Sequence, residues 1–329
     1  MTSLTGSPNL LAPFFRLEAV RRLDRWLRAM PHPELVVEIA PTHVAAVRWG
    51  ARRGHLDSVA VEPLPTGSVM ASPVETNLTE PEAVRSALRT VFARVPGRGT
   101  PLALLIPDPV VRVFILPFET LPRRADEAMP LLRWRLKKSV PFDMDETVVS
   151  WMRQSGREAN LEVVTAVARR QIIREYEEIV ESLGGNTTVV LSSTLASLPL
   201  LEERGATLLV RMCGRTMAAV IVHGSNLCVY RATEMPAGAE LLNPKAVLDE
   251  IFPALAFYQD SWGTAVDRVR LSGFGAREEI FRAAVAKELE VDVAQMADTE
   301  QARALDLPAR NLIHDDLDAL VGWMVNGGS

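Results

Sequence analysis

Few residues in this 329-residue chain are of types that do chemistry, and their spacing decides what they could do. The five histidines, His32, His43, His55, His223 and His314, are scattered with no pair at ligand spacing, so no metal centre is expected. Cys213 and Cys228 lie inside apolar, strand-like runs, with no histidine or further cysteine at ligand spacing. That pattern predicts buried thiols in a reducing compartment rather than a disulfide or zinc site. Gly273-Phe274-Gly275 carries two glycines of a dinucleotide fingerprint but lacks the third and the downstream acid. Asp315, Asp316 and Asp318 cluster at a helix start, where carboxylates favour the dipole, so capping is expected of them. Arg123-Arg124 and Lys137-Lys138 read as solvated helix ends, with an anionic lipid face or an acidic partner as the alternative. No catalytic set emerges.

Composition narrows the class. Hydrophobic residues make up 48% of the chain and charged residues 23%, which is ordinary globular material with an ample core. The length predicts two compact lobes. A net charge of −5 gives no general attraction to nucleic acid, and none is expected as a partner. No apolar run approaches the roughly 20 residues of a membrane span, and no signal-peptide pattern opens the chain. A cytoplasmic protein is expected.

The elements that must position any site follow from periodicity. Residues 10–30 read as a basic amphipathic helix, with Arg16, Arg21, Arg22, Arg25 and Arg28 set against Glu18 and Asp24. Such a helix can pack on its own domain, dock on a partner, or lie on an anionic membrane face. After the stiff Pro31-His32-Pro33, three strand-like runs at 35–39, 44–49 and 56–63 form a meander. Thr79 and Glu82 suggest a capping box for a helix running to about residue 95. A buried strand at 102–106 follows.

The stretch 102–151 has the most distinctive grammar in the chain. A run at 110–116 stops at Pro117, a helical pattern spans 124–140 and ends at Pro141, and strands at 147–153 and 161–168 lead to a helix at 170–183. This order suggests a split-βαβ subdomain inserted in the first lobe and closed by Gly184-Gly185 as a C-cap. A return strand at 189–191 and a helix at 194–203 complete the lobe. A second meander then appears at 207–212, 217–222 and 227–231. Behind it come a long helix at 244–262 carrying Pro253, a strand at 269–271, a helix at 277–289, and a final helix at 314–324. The expected organisation is an N-terminal segment (1–33), a first lobe (34–107), the insertion (108–185), a return to the first lobe (186–205), a second lobe (206–313) and a C-terminal helix (314–329). The fold class is α/β: two pseudo-equivalent lobes facing a cleft.

With these elements in place, the chain resembles the type IV pilus assembly protein PilM family of the actin-like ATPase superfamily, whose fold is also called ribonuclease-H-like. Two stretches carry the resemblance: LPFETLPRRADEAMPLLRWRLKKSVPFDMDE at 116–146, and DEIFPALAFYQDSWGTAVDRVRLSGFGAREEI at 249–280. It implies four subdomains around a nucleotide cleft. It also implies a platform at the cytoplasmic face of the inner membrane that holds the N-terminal tail of the bitopic protein PilN. Other pilus platform proteins and motor ATPases are further implied partners. The peptide groove implied lies between the first lobe's core and the insertion, where Leu104, Leu132, Leu136 and Phe142 are candidate contacts.

The resemblance also locates a nucleotide site, and there the chain departs from the family. The first hairpin of the superfamily reads Asp-Ile-Gly, often with a lysine further on. Here Glu38-Ile39-Ala40-Pro41-Thr42 stands in its place, with Ala45 at the lysine position. Pro41 deletes an N–H that would face phosphate, and Ala40 removes the glycine that allows close approach. In the second hairpin Arg211-Met212-Cys213 replaces aspartate and glycine, and an arginine cannot hold Mg²⁺. The adenosine-side turn, Ser272-Gly273-Phe274-Gly275, is best preserved, although the Phe274 ring could fill the base or ribose space. Glu38, Thr42, Ser272, Gly273 and Gly275 thus form a degenerate ATP site. ATP·Mg²⁺ is not expected as a working cofactor, and the chain is expected to be a pseudo-ATPase. The rival expectations are an active actin-like ATPase and the cytoplasmic platform of a type II secretion system.

Overall fold

The first apolar run, Leu-Val-Val-Glu-Ile, becomes strand β1 (Leu35–Ile39), buried along its whole length because layers cover both of its faces. The computed structural model to which it belongs describes residues 32–50, 55–155 and 161–326, so the expected helix at 10–30 lies outside the described residues. β1 pairs antiparallel with β2 (His43–Trp49), and β2 likewise with β3 (Leu56–Pro63). On its other side β1 runs parallel to β4 (Pro101–Ile106), which runs parallel to β8 (Asn186–Ser192). The central strands are continuous apolar runs, whereas edge strand β3 alternates exposed and half-buried positions. Helices α1 (Pro81–Arg94) and α3 (Arg170–Glu181) cover one face, burying Leu88, Val91, Ile172 and Tyr176 in a common core.

The second meander builds the same sheet again. β9 (Ala206–Cys213), β10 (Thr216–His223) and β11 (Asn226–Glu234) pair antiparallel, and β12 (Arg268–Ser272) runs parallel to β9. Helices α5 (Pro244–Trp262) and α6 (Glu278–Leu289) pack on it. A fifth strand, β13 (Asp292–Gln295), runs parallel to β12 and completes the order β11-β10-β9-β12-β13, matching β3-β2-β1-β4-β8. The two pseudo-equivalent lobes expected from the sequence are therefore present. β13 itself was not anticipated, because four residues with one buried side chain leave little periodic signal.

Between β4 and α3 lies the insertion: β5 (Arg112–Phe118), α2 (Ala125–Leu136), β6 (Thr147–Ser155) and β7 (Leu161–Arg169). β7 pairs antiparallel with both neighbours, so β5 and β6 run parallel with β7 between them, the split-βαβ arrangement. One face of this sheet is covered by α2 through Leu121, Ala128, Leu132 and Val163. The other contributes Met152 and Val164 to a core shared by both lobes. Gln154, fully buried, pairs its side-chain amide with the backbone of Leu227 on edge strand β11, at 2.7 and 3.0 Å. That pair satisfies one residue of an otherwise open edge and fastens the insertion to the second lobe.

Several boundaries differ from expectation for identifiable reasons. β5 continues through Pro117, because an edge strand tolerates a missing N–H. α2 stops at Leu136 and contains Pro130. No capping box forms at α1: Glu80 is the N-cap residue and the Thr79 hydroxyl donates to Gly67 O. The expected helix at 194–203 is cut to α4 (Ser193–Ser197) followed by a 3₁₀ turn containing Pro199. The expected last helix divides in two after a short α7 (Glu300–Arg303). These are α8 (Leu307–His314) and α9 (Asp318–Asn326), and Asp316 takes a left-handed conformation between them, φ +60°. The bond Leu317 N–H to Leu312 O, 2.8 Å, closes α8 as a Schellman motif.

α9 returns the chain end to the first lobe. Trp323, 1% exposed, donates its indole N–H to Pro33 O at 3.1 Å and stacks on His32. Gly322 lets α9 lie against α4, since a Cβ there would stand 2.3 Å from Ala196 O. Helix propensity alone predicts that Gly322→Ala stabilises by up to about 1 kcal/mol. The backbone contact predicts the reverse, a loss of about 2 kcal/mol or more, which thermal unfolding followed by circular dichroism will distinguish.

Candidate functional site

Glu38 and Arg211 are lone charges inside apolar strands, one in each lobe, and the fold brings them together at its centre. Glu38 is wholly buried on β1, Arg211 is 2% exposed on β9, and Asp318, at the first turn of α9, is wholly buried beside them. Arg211 Nε donates to Asp318 Oδ2 at 3.0 Å and Oδ1 at 3.2 Å, and Arg211 Nη2 lies 3.6 Å from Glu38 Oε1. Ser193 Oγ, at the start of α4, donates to Glu38 Oε1 at 2.6 Å, while His43 Nε2 stands 3.7 Å from the other oxygen. Burial alone would raise the Glu38 carboxyl, but His43, Arg211 and Ser193 outweigh it, so it lies below its ordinary value and stays ionised. Burial likewise works against the Arg211 guanidinium, but Asp318 and Glu38 outweigh it and hold the cation well above its usual range.

A second polar cluster adjoins the first. Asp108, just past the end of β4, accepts from Thr194 N at 3.0 Å, Thr194 Oγ1 at 2.6 Å and Tyr230 OH at 2.9 Å. Burial, then the Asp108 charge, pushes the Tyr230 hydroxyl well above its ordinary value, which keeps it a donor from the second lobe to the first. Asp108, Ser193, Thr194 and Tyr230 were not singled out from the sequence, and Asp318 was read there only as a helix cap. The available signal was polar side chains embedded in apolar runs, such as Glu38 in Leu-Val-Val-Glu-Ile and Arg211 in Leu-Leu-Val-Arg-Met.

The residues expected to form a degenerate ATP site are brought to this cleft, but most are engaged by the chain itself. Thr42 is exposed, with its hydroxyl 3.0 Å from His43 Nδ1. The hairpin tips meet: a Cβ on Gly214 would be 3.2 Å from Pro41 Cβ and 3.7 Å from Thr42 Cγ2. Ser272 is 3% exposed. The Gly273 N–H is donated to Asp316 Oδ1 at 2.9 Å, and a Cβ on Gly273 would fall 1.8 Å from Met212 O. This glycine therefore serves close backbone packing. Gly275, φ +52°, faces open space. Phe274 does not fill the cleft: it is 2% exposed in the second-lobe core, against Phe281 at 4.5 Å. The expected carboxylate cluster is divided: Asp318 does sit in the first turn of α9, where it also pairs with Arg211, whereas Asp316 lies between α8 and α9 and accepts from the Gly273 N–H. Burial pushes the Cys213 thiol up to about 12, which keeps it protonated. No disulfide joins it to Cys228.

The candidate partner contacts fare differently. Leu104, Leu132 and Leu136 are fully buried core residues and present nothing to a ligand; Phe142 is half-buried against Leu136 and Met144. A different groove, of about 820 Å³, lies between the first lobe and the insertion. Leu78, Arg85, Glu146, Arg170, Arg174 and Glu178 are among its lining residues. Among the described residues no group of three or more acidic, histidine or cysteine side chains could hold a metal ion, and no helix is long and apolar enough to cross a membrane.

Removing Arg211 strands two buried carboxylates. Arg211→Met is expected to cost about 3–5 kcal/mol in urea unfolding, with part recovered when Asp318→Asn is added. Glu278, beside Asp316, is pushed up to about 7 by burial and then by Asp316, from an ordinary 4.5. The folded state then holds a proton that the unfolded chain has lost between these values, so stability falls as pH rises from about 4.5 to about 7. Thermal midpoints of Glu278→Gln should lose that part of the slope.

No protein-family profile and no curated protein matches this sequence. Solved structures do. A chain of the PilM–PilN type IV pilus biogenesis complex matches with TM-score 0.74 at 17% identity, covering 91% of this chain and 100% of that one. An actin-like ATPase-fold protein of unknown function from Bacteroides thetaiotaomicron matches at TM-score 0.49 and 12% identity, covering 87% and 94%. The cytoplasmic domain of EpsL, an inner-membrane component of the type II secretion system of Vibrio cholerae, matches at 0.43 and 12%, covering 72% and 80%. The chain has the actin-like two-lobed fold, with the split-βαβ insertion in its first lobe.

Proposed function

We propose that this chain is a non-catalytic actin-like scaffold in the cytoplasmic platform of a type IV pilus or related secretion machine. In this role it holds the N-terminal tail of a PilN-like membrane protein at the inner membrane. The observation that carries the non-catalytic half is the Arg211 guanidinium, buried between Glu38 and Asp318 where the two lobes meet. A fixed cation at that point repels Mg²⁺, and it is paired with both carboxylates that could attract a metal. Pro41 has no N–H to offer and the Gly273 N–H is already donated to Asp316, so two backbone donors that could face a phosphate chain are missing.

The binding half is supported by the likeness to a chain of the PilM–PilN complex and by the groove between first lobe and insertion. Arg85, Arg170 and Arg174 beside Asp145, Glu146 and Glu178 make that groove suited to an extended peptide with charges of both signs. Isothermal titration with the N-terminal peptide of the PilN-like protein should show saturable binding, weakened about tenfold or more by Arg174→Glu. ATP·Mg²⁺ should give no binding heat, and phosphate release should not exceed that of Glu38→Ala. Turnover above that control would contradict the non-catalytic assignment, and absence of peptide binding would contradict the scaffold assignment.

A further inference from the structure

A second groove, of about 580 Å³, opens between the insertion and the second lobe, and it shares no lining residue with the groove beside the first lobe. Val113, Phe114 and Ile115 of β5 all line it, and so do residues 228–231 of β11. Consecutive strand residues point to opposite faces, so a groove touched by all of them runs along the strands' edges. Both edges are open: β5 pairs only with β7, and β11 only with β10. Pro117 has no N–H to give β7, so it belongs to the outward class of the antiparallel alternation. Val113 and Ile115, four and two residues back, therefore direct their N–H and C=O groups outward as well. On β11 the Gln154 side-chain amide holds Leu227 N and O, the two bonds that a neighbouring strand would make there. No described strand continues that pairing along residues 228–231.

We infer that this groove binds an extended, apolar and basic segment of a partner protein, which adds as a strand to the open edge of β5. The edges select an extended backbone, because a helix spends its N–H and C=O groups internally and a lipid tail has none. The remaining walls set the side chains. Phe257 on α5 is 58% exposed and shares the lining with Pro253 and Ala254, a surface for an apolar side chain. Two charges also line the groove, Arg231 and Glu162. Arg231 has Glu250 at 3.8 Å, whereas Glu162 accepts from Gln154 Nε2 at 3.0 Å and makes no ion pair among the described residues. The charge left to be met is therefore negative, and a lysine or arginine of the added strand meets it. Such a segment would tie the insertion to the second lobe, as Gln154 already does at one point.

Selection of random dodecapeptides displayed on phage against the full chain tests this. The N-terminal peptide of the PilN-like protein is kept in excess, so that the two grooves are read separately. Selected sequences should alternate apolar residues and carry a lysine or arginine. A synthetic copy should slow amide exchange at Val113 and Ile115. Its dissociation constant should rise about tenfold or more in Phe257→Ser and about threefold in Glu162→Gln, and stay unchanged in Arg174→Glu. Failure to select any peptide above an unrelated control protein overturns the inference. So does selection of acidic or helical peptides, or binding that Phe257→Ser leaves unchanged or Arg174→Glu abolishes. Self-association of the chain that is lost in Phe257→Ser, read by sedimentation, would overturn it in favour of a second copy.

Discussion

Everything central in this molecule depends on one buried cation. Arg211 comes from the second lobe, Glu38 from the first, and Asp318 from the helix that closes the chain. Burying these charges is expensive, and a buried ion pair is by itself weak support for stability. Removing the arginine, however, leaves two buried carboxylates without a counter-charge. The arrangement therefore specifies geometry: the two lobes and α9 are held in the relation that brings the cation to both carboxylates. The Asp108–Tyr230 bond and the Gln154–Leu227 pair repeat that constraint from neighbouring positions. Cleft residues and insertion are thus parts of one set of cross-lobe ties.

The same geometry separates fold from chemistry. In this chain a guanidinium occupies the inter-lobe centre and the hairpin tips lie against each other. The insertion's sheet carries α2 on one face and packs into the core shared by both lobes with the other.

Much of the fold was legible because its strands are apolar runs ended by strong turn residues. Both meanders, the long helix beginning at Pro244, and the split-βαβ order follow from that punctuation. Failures cluster where tertiary contacts override local pattern. β13 is too short to show a period, and Pro117 is tolerated only because its strand lies at an edge. α8 and α9 are separated because Asp316 turns to meet Gly273, a contact 43 positions away in sequence. The site was half legible. Glu38 and the replacement of aspartate by Arg211 stood out by position, but their mutual pairing and Asp318 did not, since nothing local links residues 38, 211 and 318. The candidate leucines failed for a plainer reason. Apolar side chains in apolar runs are core unless something else says otherwise.

The most direct test is a high-resolution crystal structure of the protein grown with saturating Mg²⁺ and a non-hydrolysable ATP analogue. The account predicts the Arg211 guanidinium in density between Glu38 and Asp318, with no phosphate in the cleft. Ordered phosphates and a metal ion between the two hairpins, with Arg211 swung out of the centre, would contradict it.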